Sequence, residues 1–426
     1  MLIISLLLIN LNSFAQKPTF ESKGILYLHD ADFNTFSYSI DQIEKETNNQ
    51  DKIGAFKFPL SFEETAKNSE KVVANSLIHS FKAMTVSSNN RLCYVGESQG
   101  SFKKEQLGKT VRIKELAEGS FVSVVDVSNL QNLKADYRFQ VGANPHVLAL
   151  NKTNEYLAVG TEGYNQEIQL FELDGTGKPI RLLPKPSLMN NGTISDLVWH
   201  PTEDYIAYIN SLTREVGLLK VIREVATRKI IRIEIFGNPV QMDGQPVTGL
   251  FSKDGAFFYV LDRKNTPAQT SLYDKGQVFT IKLNLEDGLK HAFISKVEVD
   301  INPVGMILHP NGKNILVNNI AKSFEYPVND RNTGKASLSM ININQDGSLQ
   351  NKGTYLIEGI MPLGITFDKY GKNLAMSCYQ FMNYGKATGG IEFFKFNAGD
   401  NPSIEKQNQR ISTNKGIHNL KPIEEF

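Results

Sequence analysis

Pro303-Val304-Gly305-Met306-Ile307-Leu308-His309-Pro310-Asn311-Gly312-Lys313-Asn314-Ile315-Leu316-Val317 decides the fold. An apolar run, a polar turn closed by glycine and a second apolar run read as two short strands in a hairpin. The unit recurs six times. Its second strands read Arg91-Val95, Glu155-Val159, Tyr205-Ile209, Ala256-Val260, Lys313-Val317 and Lys372-Met376. Just before them stand Asn90, Asn154, Asp204, Gly255, Gly312 and Gly371, residue types that tolerate positive φ. Four copies carry a proline nine residues before that turn, Pro145, Pro246, Pro303 and Pro362. A missing N–H costs least there, at the mouth of a strand.

Working outward, the turns are 64, 50, 51, 57 and 59 residues apart, a period that reads as propeller blades of four short strands. Third strands are expected at Phe121-Val127, Glu167-Leu173, Gln277-Leu283, Ser337-Ile343 and Ile391-Phe396. A seventh copy is split: Gly24-Leu28 matches a second strand, and Gly416-Leu420 falls where a new innermost strand should begin. Joining them in one blade would close the ring and remove two sheet edges. The expectation is therefore an all-β, seven-bladed β-propeller spanning 16–426 as one domain, closed by its N- and C-terminal strands. The charged stretch Phe102-Gly119, with five Lys or Arg against three Glu, reads as a solvated loop in the first complete blade, the alternative being a contact for a partner or an anionic ligand.

Composition narrows the function. The chain has 426 residues with 46 Lys+Arg against 45 Asp+Glu, so the balance argues against a dedicated nucleic-acid binder. Two cysteines, Cys93 and Cys378, exclude a disulfide scaffold and a thiolate zinc cluster. Residues 1–15 are apolar from Leu2 to Ile9 and end in Ser13-Phe14-Ala15, a signal-peptide pattern too short to span a bilayer. The reading is export to the periplasm or the medium, with no membrane insertion after cleavage at Gln16.

Pro145-His146-Val147-Leu148, Trp199-His200-Pro201, Tyr259-Val260-Leu261-Asp262-Arg263 and the ten residues from Pro303 to Gly312 resemble the seven-bladed lactonase family. That is the 6-phosphogluconolactonase type, which also includes fungal muconate cycloisomerases and shares its strand-turn-strand pattern with YVTN-type repeats. The resemblance implies lactone hydrolysis, which needs a base for water and a donor for the oxyanion. On the family's motifs His146 would be the base or an orienting group, Arg263 the anion binder, and Glu97 a further pocket residue after a one-residue slip. The chain also departs from the family. Ser195-Asp196-Leu197, Asn210-Ser211-Leu212 and Pro303-Val304-Gly305 stand where it carries Arg, Glu and Arg. Two functions therefore stand side by side: a hydrolase of a lactone or sugar-acid derivative, and a non-catalytic propeller binding a protein or small ligand through its channel face.

The repeat register supplies the remaining candidates. Eight residues before each turn stand Lys82, His146, Asp196, Val247, Val304 and Leu363; seven after it stand Glu97, Thr161, Ser211, Asp262, Asn319 and Cys378. The second ring is small or polar throughout, as a wet channel mouth would require. Asp262, Asn319 and Ser211 are the expected ligand contacts. No cofactor and no metal are expected. His200 and His309, in His-Pro turns, read as structural, and the lone Trp199 as packing between blades.

Overall fold

The computed structural model describes residues 19–31, 42–44, 50–60, 68–76, 82–163, 165–186, 188, 193–264, 274–325, 335–382 and 388–424. Seven antiparallel sheets of four strands follow one another along the chain. They form a seven-bladed β-propeller, and no α-helix occurs among the described residues. Blade 2 runs Met84–Val86, Leu92–Gly96, Phe121–Asp126 and Lys134–Gln140; blade 5 runs Pro246–Phe251, Phe258–Asp262, Lys275–Lys282 and Ala292–Ile301. Blades 3, 4, 6 and 7 repeat this order from Val147, Ile194, Pro303 and Ile365. The expected second strands lie within two residues of the observed ones, and Pro246 and Pro303 each open an inner strand.

Blade 1 joins the two ends of the chain. Its inner strand is Ile417–Ile423, followed by Gly24–His29, Lys52–Lys57 and Asn68–Val72. Gly24 pairs with Ile423 and Leu28 with His418, so the closure lies where the repeat register put it.

The core lies between blades. Leu26 and Ile53 of blade 1 meet Cys93 and Val125 of blade 2; Leu316 and Leu338 of blade 6 meet Leu374 and Phe394 of blade 7; Tyr27 and Phe56 of blade 1 meet Ala375 and Phe393 of blade 7. Histidines of the hairpin turns add polar clasps. His200 Nε2 contacts the carbonyl of Gly255 in the next blade at 3.2 Å, and His309 Nε2 that of Gly371 at 2.9 Å. Both glycines have left-handed φ, and a Cβ on either would collide with the histidine ring. Trp199 Nε1 donates to the carbonyl of Ala149, tying blade 4 to blade 3.

One segment departs from expectation. Phe102–Gly119 is not a solvated loop. Its Thr110–Arg112 strand pairs with Gln42–Glu44, and Val111, Leu116 and Ile43 are buried with Val304, Ile320, Phe324, Leu363 and Tyr379 of blades 6 and 7. Apolar residues spaced among the lysines give the segment one greasy face. Leaving blade 2, it crosses the channel face and caps the far side.

Candidate functional site

Every second strand ends on the channel face, so the ring from Glu97 to Cys378 lies there, together with the starts of the inner strands. The wet mouth expected of that ring is not found: Thr161, Asp262, Asn319 and Cys378 are fully buried, while Glu97 and Ser211 are half-buried. Polar residues at these strand ends satisfy the departing backbone instead of facing water. Asp262 accepts hydrogen bonds from the N–H groups of Lys264 (2.6 Å) and Gly244 (3.2 Å). Burial pushes its carboxyl above the usual carboxylate range, and those backbone donors pull the other way. Asn319 Nδ2 donates to the Ser337 and Ser339 hydroxyls at 3.2 and 3.0 Å. Ser211 Oγ donates to the Thr193 carbonyl at 3.4 Å.

His146 is buried at 3% exposure. Its Nδ1 lies 2.6 Å from the carbonyl of Asn144 and its Nε2 2.7 Å from that of Ile194. Both ring nitrogens thus face carbonyl acceptors, and the ring straps the inner strand of blade 3 to that of blade 4. A general base must present a lone pair to its proton; in this arrangement His146 aims neither nitrogen into the channel.

Glu97 belongs to the same polar run. Its Oε2 accepts the N–H of Ser120 at 3.1 Å, where the cap segment returns to blade 2. Next to it, Gly119 N–H donates to Asn144 Oδ1 at 2.8 Å, and Asn144 Nδ2 donates to Glu162 Oε2 at 2.8 Å. Glu97, the foot of the cap, Asn144 and His146 therefore form one connected scaffold. Arg263 stands outside it. Half-buried, it donates from Nε to the Pro303 carbonyl at 3.0 Å, and it forms no ion pair with Asp262 or Glu97. Its two terminal guanidinium nitrogens take no protein acceptor among the described residues.

The first ring holds what sequence reasoning missed. Lys82 Nζ reaches across blade 3 to Asp196 Oδ2 of blade 4 at 3.3 Å. Asp196, fully buried, also accepts from Thr248 Oγ1 (2.7 Å), Gly249 N (2.8 Å) and Leu197 N (2.8 Å). The residue standing where the family carries arginine is thus the acid of a channel ion pair joining blades 2, 4 and 5. Repeat arithmetic put both residues in one ring, but only the curvature of that ring shows that they meet. Val304 and Leu363, their counterparts in blades 6 and 7, are apolar because the cap covers them.

No group of three or more His, Cys, Asp or Glu among the described residues is placed to hold a metal ion. A cavity of about 690 Å³, lined by Lys23, Lys57, Leu130 and Tyr370 among others, opens on the opposite face, at the hairpin turns. It touches none of the candidate residues.

No protein-family model and no curated protein matches this chain. Solved structures do. A Bacteroides fragilis protein provisionally assigned as a 6-phosphogluconolactonase superposes with a TM-score of 0.60 at 14% identity, over 94% of this chain and 98% of its own. A similarly assigned Bacteroides uniformis protein gives 0.61 at 14% identity over 94% and 99%. The periplasmic gluconolactonase of Pseudomonas aeruginosa gives 0.58 at 14% identity over 94% and 99%. The likeness is one of fold. It extends around the whole ring, so the propeller is of the 6-phosphogluconolactonase-like shape that the sequence motifs suggested.

Proposed function

We propose that this chain is an exported, lactonase-like propeller that binds a small lactone or sugar acid at its channel face without using His146 as a base. The observation that carries this reading is the seating of His146 between two carbonyls, 2.6 and 2.7 Å from its ring nitrogens. Glu97 is likewise committed to the foot of the cap. What is left for a ligand is the Arg263 guanidinium, with two donors suited to a carboxylate, and the half-buried Ser211. The lactone-acting names of the structural neighbours support the ligand class. The periplasmic location in the name of one neighbour, with the apolar N-terminus of this chain, supports export.

Equilibrium titration with gluconate tests the binding site. Wild type is expected to bind it, and Arg263→Met to weaken it by about tenfold or more, the scale of one lost charge-assisted hydrogen bond. Equal affinity in the two proteins would remove Arg263 from the site.

A further inference from the structure

We propose that the cavity on the hairpin-turn face is a second binding site, for a small aromatic anion, lying between blades 1, 2 and 7 and separate from the channel. Its volume of about 690 Å³ is that of a small-molecule site. Three parts of the chain build it: the flanks of the Gly24–His29 and Lys52–Lys57 strands, the turn between the last two strands of blade 2, and the hairpin turn of blade 7. Contacts of their own fix these walls. Thr19 donates from its N–H to Gln407 Oε1 and from Oγ1 to Asn373 Oδ1, both at 3.1 Å, and the Lys369 N–H donates to the Glu21 carbonyl at 3.3 Å. The run leading into blade 1 is thereby held against blade 7, and the cavity is preformed.

The floor of the cavity is aromatic. Phe20 stacks on Phe58 with ring centroids 5.7 Å apart, and Phe393 backs both at 5.8 and 6.1 Å. Tyr370, 56% exposed, stands at the rim, and such a ring beside an apolar floor suits a flat apolar body. The rim is also cationic. Lys23, Lys57 and Lys369 line the cavity against one carboxylate, Glu21. Among the described residues the ammonium groups of Lys23 and Lys57 have no hydrogen-bond or ion-pair partner, so setting Glu21 against Lys369 still leaves two positive charges. Asn129 adds a donor: its Oδ1 accepts the Gln131 N–H at 3.0 Å, which leaves Nδ2 for a ligand. A ring carrying a sulfonate, phosphate or carboxylate uses both halves, its body on the phenylalanines and its charge at the lysines. A neutral ring gains nothing from the lysines, and a bare inorganic anion nothing from the floor. The site does not depend on the ligand proposed for Arg263.

The test is a calorimetric titration of the full-length protein with naphthalenesulfonate, against neutral naphthalenemethanol and inorganic sulfate. The sulfonate is expected to bind at least about tenfold more tightly than either control, since each control forfeits one half of the site. Lys23→Met and Lys57→Met should each weaken it about threefold to fivefold, the scale of one exposed charge contact, and together by about tenfold or more. Lys57→Arg should keep the affinity, and Tyr370→Ala should lower it. Both lysines are exposed, so these variants should melt as the wild type does. Excess gluconate should not displace the probe, which separates this site from the one proposed at Arg263. No binding by the wild type, equal binding of either control, undiminished binding in the double lysine variant, or displacement by gluconate would overturn the proposal.

Discussion

Asp262 and Asn319 show why residue types at a strand end do not by themselves mark a site. Where a strand leaves its sheet, the backbone loses ladder partners, and a carboxylate or amide can replace them. Asp262 does so for Gly244 and Lys264, and Asn319 turns inward to Ser337 and Ser339. The same residues facing water would have been ligand contacts, and the sequence reads identically in both cases. His418 makes a sharper case. Fully buried beside His29, it donates from Nε2 to Asn75 Oδ1 at 3.0 Å, and its Nδ1 has no partner among the described residues. Burial first, and His29 second, lower its pKa from 6.5 to about 3. The folded protein therefore refuses a proton that the unfolded chain accepts near pH 6.5. The contribution of His418 is complete above that pH and is lost as pH falls toward about 3, amounting to about 3 kcal/mol by pH 4. Urea unfolding at about pH 7 and pH 4 checks this: His418→Asn should lose less stability than wild type between the two. Parallel losses would mean that His418 does not carry the acid sensitivity.

At the scale of elements, the hairpins were legible because turn chemistry and apolar runs coincide there. The outer strands were not. Lys134–Gln140 is largely exposed and mixes polar with apolar residues, and Ala292–Ile301 leaves even Phe293 and Ile294 exposed, since the outermost strand packs little of its surface against neighbouring blades. The cap was misread for a related reason: its five cations outweigh in sequence the few apolar residues that anchor it. Those anchors decide its behaviour. Val111→Asp would place a charge among Val304, Leu363 and Tyr379, a burial that costs several kcal/mol unless the segment lifts away. Lifting costs less than unfolding a blade, so limited proteolysis should cut Val111→Asp within 102–119 much faster than wild type, while the blades resist. Equal cleavage rates would show that the segment is not held down.

The whole molecule depends on its closure. Ile417–Ile423 covers the edge of Gly24–His29, a fully buried strand containing Ile25, Leu26 and Leu28. A chain ending at Asn414 would expose that edge and open the interfaces of blade 1 with blades 2 and 7. Such a truncation should lose the cooperative thermal transition or aggregate; a melting temperature equal to that of wild type would refute the closure. The ring was legible because seven copies had to share one register. The chemistry inside it was less so, because contacts such as Lys82–Asp196, between blades 2 and 4, and the bracing of His146 against blade 4 arise from how the ring brings blades together in space. The central functional claim is that His146 is a strut and not a base. Hydrolysis of glucono-δ-lactone by the wild type, measured against His146→Gln and the spontaneous reaction, tests it most directly. The account predicts no acceleration that depends on His146, and a His146-dependent rate enhancement of about a hundredfold or more, the scale of general-base catalysis, would contradict it.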